Sequence, residues 1–157
     1  MSSPHSPNQN RLLAALPTPE FERLLPQLEL VSMRLGDLLC ESGDELQHAY
    51  FPTSAIVSLH YVMEGGASVE VAGVGNEGML GISLFMGGQT TLTRAIVQTA
   101  GHGYRLPRRR IGYFDTPASG RRRSRGRGNR PTQVISTLLC RSDRLGNRTR
   151  LGIGGGR

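Results

Sequence analysis

The sequence predicts a mainly β fold, an antiparallel sandwich or barrel with short flanking helices, followed by a tail without a fold-specifying pattern. Strand-like segments recur between residues 28 and 107 at spacings of about 8–12 residues, which is typical of such folds. Helix signals are confined to residues 10–29 and to one short stretch within 78–86. From residue 108 onward no hydrophobic period is sustained, and arginine and glycine dominate.

Two short helices are predicted to begin the fold. Asn10 is a suitable N-cap for one or two helical turns in residues 10–17. Residues 18–29 carry a stronger start signal, because Thr18 can cap the helix and proline and acidic residues follow it. Pro26 is expected to end this second helix early, since proline does not fit a helix interior.

Short strands with turn signals between them follow. The turn chemistry is given by Pro52, by a Ser-Gly-Asp sequence and by the hairpin "EGG" at 64–66. The predicted strand segments are 28–35, 36–45 with its terminal turn, two within 48–63, then 67–75, 92–101 and 102–107. The residues of 76–88 are too rich in glycine for a strand and are expected to hold the short helix.

Length, composition and cysteine usage limit the class of protein. The 157 residues suffice for one ordinary domain, and no apolar run is long enough to cross a membrane. The N-terminus lacks the features of a secretory signal. Cys40 and Cys140 lie a hundred residues apart without a CxxC pair, which argues against a disulfide framework. We therefore expect a cytoplasmic protein with no membrane partner.

The net charge of +7 is divided unevenly along the chain. Residues 1–107 hold five arginines and ten carboxylates, a net charge of −5, whereas residues 108–157 hold fourteen arginines and two carboxylates, a net charge of +12. The chain contains no lysine. Arginine codons are mostly GC-rich and lysine codons are not, so this usage is typical of a gene of very high GC content.

Several longer motifs together resemble one protein family. They are "NRLLAALP", "FERLLPQLE", "LGDLLCESGDELQHAYFPTSAIVSL", "VMEGGASVEVAGVGNEGMLGISLFMGG" and "RAIVQTAGHGYRLP". They resemble the N-terminal sensor domain of the Crp/Fnr transcriptional regulators, and this implies a double-stranded β-helix, or jelly roll, of the cyclic-nucleotide-binding-like kind. The implied organisation is a disordered N-terminus at 1–9, a sensor β-roll at 10–107 and a basic low-complexity tail at 108–157.

The same resemblance implies a ligand site. The stretch 74–101 resembles the phosphate-binding cassette of the family, where a short helix and loop present backbone N–H groups and an arginine neutralises the cyclic phosphate. Glycine lets a backbone approach an anion closely, and a guanidinium makes charge-assisted bonds to phosphate oxygens. The residues implied as ligand-binding are Gly78, Gly81, Ile82, Ser83, Arg94 and Ala95.

The match to a nucleotide-binding cassette is incomplete. Nucleotide-responsive members carry a Gly-Glu pair that holds the ribose hydroxyl, and neither Met79 nor Ile82 can replace this carboxylate. Glu77 precedes the helix and is a poor substitute. No cofactor is therefore certain, and the implied effector is a cyclic nucleotide or another small anion. As an alternative, Arg94 is a strand arginine paired with Glu70 or Glu77.

The tail departs from the family altogether. Where the family continues into a long dimerisation helix and a DNA-reading helix-turn-helix, this chain reads "RRRIGYFDTPASGRRRSRGRG". Our hypothesis is that the reading frame is lost near codon 107, so that neither dimerisation nor sequence-specific DNA reading is expected from this chain alone. Alternatively the tail is a nucleic-acid-binding arm with Arg121, Arg122, Arg123, Arg125 and Arg127 as phosphate contacts.

Other residue patterns favour structural roles. No catalytic serine motif or carboxylate pair emerges, so we expect no enzyme. The four histidines show no metal-ligand spacing. Cys40 is predicted to be a small buried hydrophobe, and the aromatic residues expected in the core are Tyr50, Phe51, Tyr61 and Phe85. The sequence therefore predicts an effector-sensing domain of a Crp/Fnr-type regulator, with the nucleic-acid-binding arm as the alternative.

Overall fold

A computed structural model describes residues 4–85 and 90–111 of the chain. The described strands are β1 Glu29–Met33, β2 Leu38–Cys40, β3 His48–Pro52, β4 Ile56–Val62, β5 Ser68–Val74, β6 Thr93–Thr99 and β7 Gly101–Pro107. The α-helices are α1 Arg11–Ala14, α2 Thr18–Leu24 and α3 Ile82–Phe85. Single 3-10 turns lie at Pro7–Gln9, Leu25–Gln27 and Arg108–Arg110. The mainly β prediction is confirmed.

The helix signals are confirmed in place but not in every cap. Asn10 caps α1, since its side chain accepts hydrogen bonds from the backbone N–H groups of Leu12 and Leu13. The prediction that Thr18 caps α2 is wrong: Thr18 is the first helical residue, and the cap position is Pro17, which offers no side-chain acceptor. The α-helix ends at Leu24 and passes into a 3-10 turn containing a proline, as expected.

The strands form two antiparallel sheets. Sheet 1 has the order β1-β7-β3, and sheet 2 has the order β2-β6-β4-β5. The β4–β5 hairpin turns through Gly65 and Gly66, whose φ values of 97° and 89° are ones that glycine adopts readily. In sheet 2, β6 lies between β2 and β4, so that residues far apart in sequence become cross-strand neighbours.

Two clusters of buried side chains form the core. One joins α1 to sheet 1 and includes Leu12, Leu13, Phe51 and Leu106. The other lies between the sheets and includes Met33, Ala55, Val57, Leu80, Ala95 and Val97. Each fully buried aliphatic or aromatic side chain of this kind stabilises the fold by about 1.5–3 kcal/mol.

The prediction that four aromatic residues lie in the core is only partly right. Phe51 is fully buried, and Tyr50 is half-buried beside the second cluster. The prediction that Tyr61 is core is wrong, because its side chain is 49% exposed. Tyr61 pairs with Val69 near the hairpin end, and neither residue belongs to either buried cluster. The side chain of Phe85 lies outside the described part of the chain.

The predicted tail lies outside the described residues from position 112 onward. Within the segment 1–9 that the sequence predicts to be disordered, Pro7–Gln9 form a 3-10 turn with Ser6 at its cap. None of the described helices is long and apolar enough to cross a membrane.

Candidate functional site

A cavity of about 330 Å³ lies between the two sheets. Sheet 1 contributes His48 and Tyr50 from β3, and sheet 2 contributes side chains from β2, β4, β5 and β6. The segment 79–83, which contains the start of α3, forms a further wall. The volume lies at the lower end of the range for small-molecule sites.

The lining of this cavity is mainly apolar. It includes the side chains of Leu39, Leu46, Leu59, Ala72, Leu80 and Ala95. Some polar lining atoms already bond to the protein: Thr91 Oγ1 donates to the carbonyl of Thr93 at 3.2 Å, and Cys40 Sγ donates to the same carbonyl at 3.8 Å. Among the described lining residues none carries a guanidinium or a carboxylate.

The wall formed by residues 79–83 is fixed to β3 by backbone bonds. Tyr50 N–H donates to the Leu80 carbonyl at 3.1 Å, and Leu80 N–H donates to the Tyr50 carbonyl at 2.8 Å. Gly81 follows with φ 87°, and a Cβ there would lie 3.2 Å from both Ala49 Cα and the His48 carbonyl oxygen. Glycine therefore permits the close approach of this wall to β3.

The N-terminal helix holds the start of the same wall. Asn10, fully buried, donates from Nδ2 to the carbonyls of Pro52 and Gly78, each at 2.9 Å. Arg11 N–H donates to the Asn76 carbonyl at 2.7 Å. One buried side chain thus joins α1, the end of β3 and the segment that leads into the cavity wall.

Burial shifts the pKa of three titratable lining groups in favour of their uncharged forms. It raises the pKa of the Cys40 thiol and of the Tyr50 hydroxyl. It also lowers the pKa of His48, and the charges of Arg105 and Arg109 act in the same direction while Glu29 opposes them. The rings of His48 and Tyr50 lie 6.0 Å apart on the same side of β3.

A smaller recess of about 90 Å³ adjoins the cavity. It shares Cys40, His48 and Tyr50 with the larger cavity and is lined in addition by Asp44 and Glu45. Glu45 Oε2 lies 3.5 Å from Arg108 Nη1, and this pair remains largely solvent-accessible on the carboxylate side. The charges nearest to this end of the cavity therefore include two carboxylates.

The structure brings four of the six implied site residues to the cavity. Gly81, Ile82, Ser83 and Ala95 are among the residues that line it. Gly78 is buried behind the wall, where its carbonyl accepts the bond from Asn10. Arg94 does not line the cavity. Its neighbours in β6, Thr93 and Ala95, do, and successive side chains of a strand point to opposite faces.

Arg94 instead makes an ion pair on the outer face. Its Nε lies 2.8 and 3.0 Å from the two carboxylate oxygens of Glu41, which lowers the pKa of Glu41. The sequence alternative of a pair with Glu70 or Glu77 is corrected here. Glu70 lies on β5, and β4 separates that strand from β6 by about 9.5 Å of backbone, two strand spacings. Glu41 directly follows β2, the other neighbour of β6.

Glu77 has a local role. Its carboxylate accepts a hydrogen bond from Gly75 N–H at 3.1 Å, and the side chain is exposed. Arg121, Arg122, Arg123, Arg125 and Arg127, the residues suggested for nucleic-acid contacts, lie outside the described part of the chain.

Sequence reasoning missed most of the cavity-lining side chains. His48 and Tyr50 lie two residues apart in "HAYFP", so the strand period already placed them on one face, opposite to Ala49 and Phe51. The strand period alone does not show which face of β3 borders a cavity. In this strand Ala49 and Phe51 enter the first core cluster, and the other face borders the cavity.

Comparison with protein families gives one match. The family model of the cyclic nucleotide-binding domain matches residues 30–114, more than half of the chain. A search among curated protein sequences finds no match.

Solved structures give many matches at low sequence identity. A mutant regulatory subunit of a cAMP-independent protein kinase A from Trypanosoma brucei, bound to cAMP, aligns with a TM-score of 0.65 at 15% identity, over 90% of this chain and 45% of that one. This chain thus spans less than half the length of that relative.

Two bacterial structures are also similar. The N-terminal domain of a transcriptional regulator from Streptomyces coelicolor aligns with a TM-score of 0.60 at 23% identity, over 96% of this chain and 99% of that one. The sensor domain of the transcriptional regulator DNR from Pseudomonas aeruginosa aligns with a TM-score of 0.56 at 13% identity, over 88% of this chain and 77% of that one. At these identities the likeness establishes the jelly-roll fold.

The described lining residues offer no cationic side chain to a bound cyclic nucleotide. A cyclic phosphate inside the protein needs a cation or several N–H donors. Arg94 points away, and the backbone N–H groups of Gly78, Leu80 and Leu84 bond to the carbonyls of Gly75, Tyr50 and Gly81. The carboxylate of Glu77, which precedes the segment 79–83, accepts a hydrogen bond from Gly75 N–H within its own turn.

Proposed function

The chain belongs to the cyclic nucleotide-binding domain family, and on this premise we propose that it is the effector-sensing domain of a Crp/Fnr-type transcriptional regulator. The cavity between the sheets is the effector site. One observation carries this proposal: both sheets and the segment 79–83 line a partly open space of about 330 Å³. Protein interiors are otherwise close-packed, so a space of this size is consistent with a ligand site.

The chemistry of the lining supports binding and not catalysis. The described lining residues offer no carboxylate for acid or base catalysis. Cys40 is the thiol of the cavity, and burial raises its pKa, which opposes the formation of the nucleophilic thiolate. His48 also lines the cavity, but among the described residues its ring forms no hydrogen bond to a hydroxyl or thiol that it could activate.

The proposal is tested by thermal-shift measurements with a panel of small molecules that includes cyclic nucleotides and uncharged aromatic compounds. The decisive variant is Ala72→Phe, which adds an aromatic ring at a half-buried cavity position on the edge strand β5. The matched control is Val71→Phe, which adds a comparable ring at the adjacent exposed position on the other face.

We expect at least one compound to raise the melting temperature of the wild-type chain and of Val71→Phe, but not that of Ala72→Phe. An equal rise in Ala72→Phe would show that the compound binds elsewhere and would contradict the assignment of the cavity. A panel without any stabilising compound would also count against the proposal.

For the tail, we propose that residues 108–157 follow a change of reading frame near codon 107, so that the DNA-reading half of the regulator is missing. The change in net charge from −5 to +12 and the loss of hydrophobic period at this position support the idea. Sequencing of the locus tests it. A one-base correction should restore a long helix and a helix-turn-helix, and a correction that restores neither would contradict it.

The fourteen arginines of the tail favour a second candidate function, that of a nucleic-acid-binding arm. Gel-shift titrations with salt test this in the full chain. Replacing Arg121, Arg122, Arg123, Arg125 and Arg127 by Gln should reduce the slope of log affinity against log salt by about 4.5 if all five contact phosphates of duplex DNA. The control replaces Arg11, Arg23 and Arg34 by Gln. An unchanged slope in the tail variant would exclude the arm.

A further inference from the structure

The cavity differs from an anion site in the charges that surround it. Three of the described arginines pair with a carboxylate: Arg94 with Glu41, Arg105 with Glu29 and Arg108 with Glu45. None of these arginines is among the described residues that line the cavity. A phosphate in this space would therefore lose its hydration without contacting a guanidinium of the described lining residues.

The end of the cavity that opens into the smaller recess is unfavourable for an anion for a second reason. Asp44 and Glu45 line that recess, and the recess and the cavity share the wall formed by Cys40, His48 and Tyr50. The carboxylate of Asp44 would repel an anion held nearby, whereas the charge of Glu45 is paired with that of Arg108. An uncharged molecule avoids this repulsion.

The apolar lining provides the positive argument. Leu39, Leu59 and Ala95 present hydrocarbon surface from three strands of sheet 2, and Leu80 presents it from the segment 79–83. The thiol of Cys40 and the hydroxyl of Thr91 bond to the Thr93 carbonyl, so they present little unsatisfied polarity to a ligand. Burial of apolar ligand surface against such a lining is favourable.

From these observations we infer that the cavity binds an uncharged, mainly apolar small molecule of one or two rings, and not a cyclic nucleotide. The inference rests on the proposed sensing role, because it names the ligand class of the same site. His48 and Tyr50, whose rings lie 6.0 Å apart at one side of the cavity, are the groups positioned to hydrogen-bond a hydroxyl or carbonyl of the ligand.

The experiment uses N-phenyl-1-naphthylamine, an uncharged two-ring probe whose fluorescence rises in apolar sites, with the full chain. The chain contains no tryptophan, so the probe signal is read without interference from indole emission. We expect saturable binding that is at least about tenfold weaker in Ala72→Phe and unchanged in Val71→Phe. cAMP, cGMP and inorganic phosphate should not displace the probe.

A second measurement does not depend on the folding of a variant. Alkylation of Cys40 by N-ethylmaleimide in the wild-type chain, followed by peptide mass spectrometry, reports occupancy of the cavity directly, because Cys40 is part of the lining. Saturating probe should slow the reaction of Cys40 and leave that of Cys140 unchanged. Cyclic nucleotides should slow neither reaction.

The outcomes separate this inference from the proposed function. A cyclic nucleotide that displaces the probe or protects Cys40 would overturn the inference, yet it would leave the cavity as an effector site. Probe binding that is equal in Ala72→Phe, without protection of Cys40, would overturn the inference because the probe is then bound elsewhere. The proposed function itself fails only if the broader thermal-shift panel also finds no compound whose effect depends on Ala72.

Discussion

Asn10 offers the sharpest test of how the cavity wall is held, because four hydrogen bonds converge on one fully buried side chain. Its Oδ1 accepts from Leu12 N–H at 3.0 Å and from Leu13 N–H at 3.2 Å, and its Nδ2 donates to Pro52 and Gly78 as described. We expect Asn10→Ala to lower the free energy of unfolding by about 3–5 kcal/mol. Loss of the cap contributes about 1 kcal/mol, and each of two buried carbonyls that loses its donor contributes about 1–2 kcal/mol.

Asn10→Asp separates the cap from the two donated bonds. The carboxylate keeps an acceptor for the helix N–H groups but places a second oxygen where Nδ2 lies 2.9 Å from the Pro52 and Gly78 carbonyls. Burial and these carbonyls disfavour the charged form and should raise the pKa of the introduced acid. A raised folded-state pKa makes the variant more stable as the pH falls through that value, so its deficit should shrink in acid.

Urea denaturation followed by circular dichroism measures the free energy of unfolding of both variants. The comparison requires that the slope of this free energy against urea concentration equals that of the wild type. Asn8→Ala is the matched control, since Asn8 is exposed, and its expected change is within about 0.5 kcal/mol. A loss below about 1 kcal/mol for Asn10→Ala, or a deficit of Asn10→Asp that does not change with pH, would refute the assigned network.

Three further variants test the site. His48 has a lowered pKa in the fold, so the free energy of unfolding should fall as the pH drops from about 7 through the unfolded-state value of about 6.5. His48→Gln should flatten this pH dependence, and a variant whose pH profile is identical to that of the wild type would contradict the prediction. Gly81→Ala should lower the free energy of unfolding, measured in urea, by at least about 1–2 kcal/mol, because Gly81 has a positive φ and a Cβ there would lie 3.2 Å from β3. Gly73→Ala is the control, since a Cβ at Gly73 would meet open space. Equal losses in the two variants would show that the wall formed by residues 79–83 is not closely packed at Gly81. Arg94→Ala should leave probe affinity in fluorescence titrations within about twofold of wild type, since its side chain pairs with Glu41 outside the cavity; a tenfold loss would place Arg94 in the site.

Much of the fold is predictable from local patterns, because each of those patterns is decided within a few residues. Alternating side chains, Pro52 and the glycines of the hairpin define strands and turns without reference to the rest of the chain. Asn10 is recognisable as a cap from its place before an apolar pair. Thr18 misleads because the preceding proline already ends the extended segment, and the helix then begins at Thr18 itself.

The site is less predictable because it depends on strand order and register. A period of two tells that Arg94 and Ala95 face opposite sides, but only the packing of Ala95 and Val97 into the second cluster decides which side is inner. The partner of Arg94 follows from the order β2-β6-β4-β5, in which Glu41 becomes a neighbour and Glu70 does not. Neither the inner face of β6 nor the ion-pair partner of Arg94 can be predicted from the residues around position 94 alone.

Intermolecular nuclear Overhauser contacts between N-phenyl-1-naphthylamine and methyl groups of the chain test most directly whether the cavity between the sheets binds an uncharged ring compound. Contacts from the probe to the methyls of Leu59, Leu80 and Ala95 are the predicted result, because Leu59 and Ala95 line the cavity from sheet 2 and Leu80 lines it from the segment 79–83. Contacts confined to exposed methyls such as those of Val71 and Ile56, or equivalent contacts made by cAMP to the cavity methyls, would contradict the account.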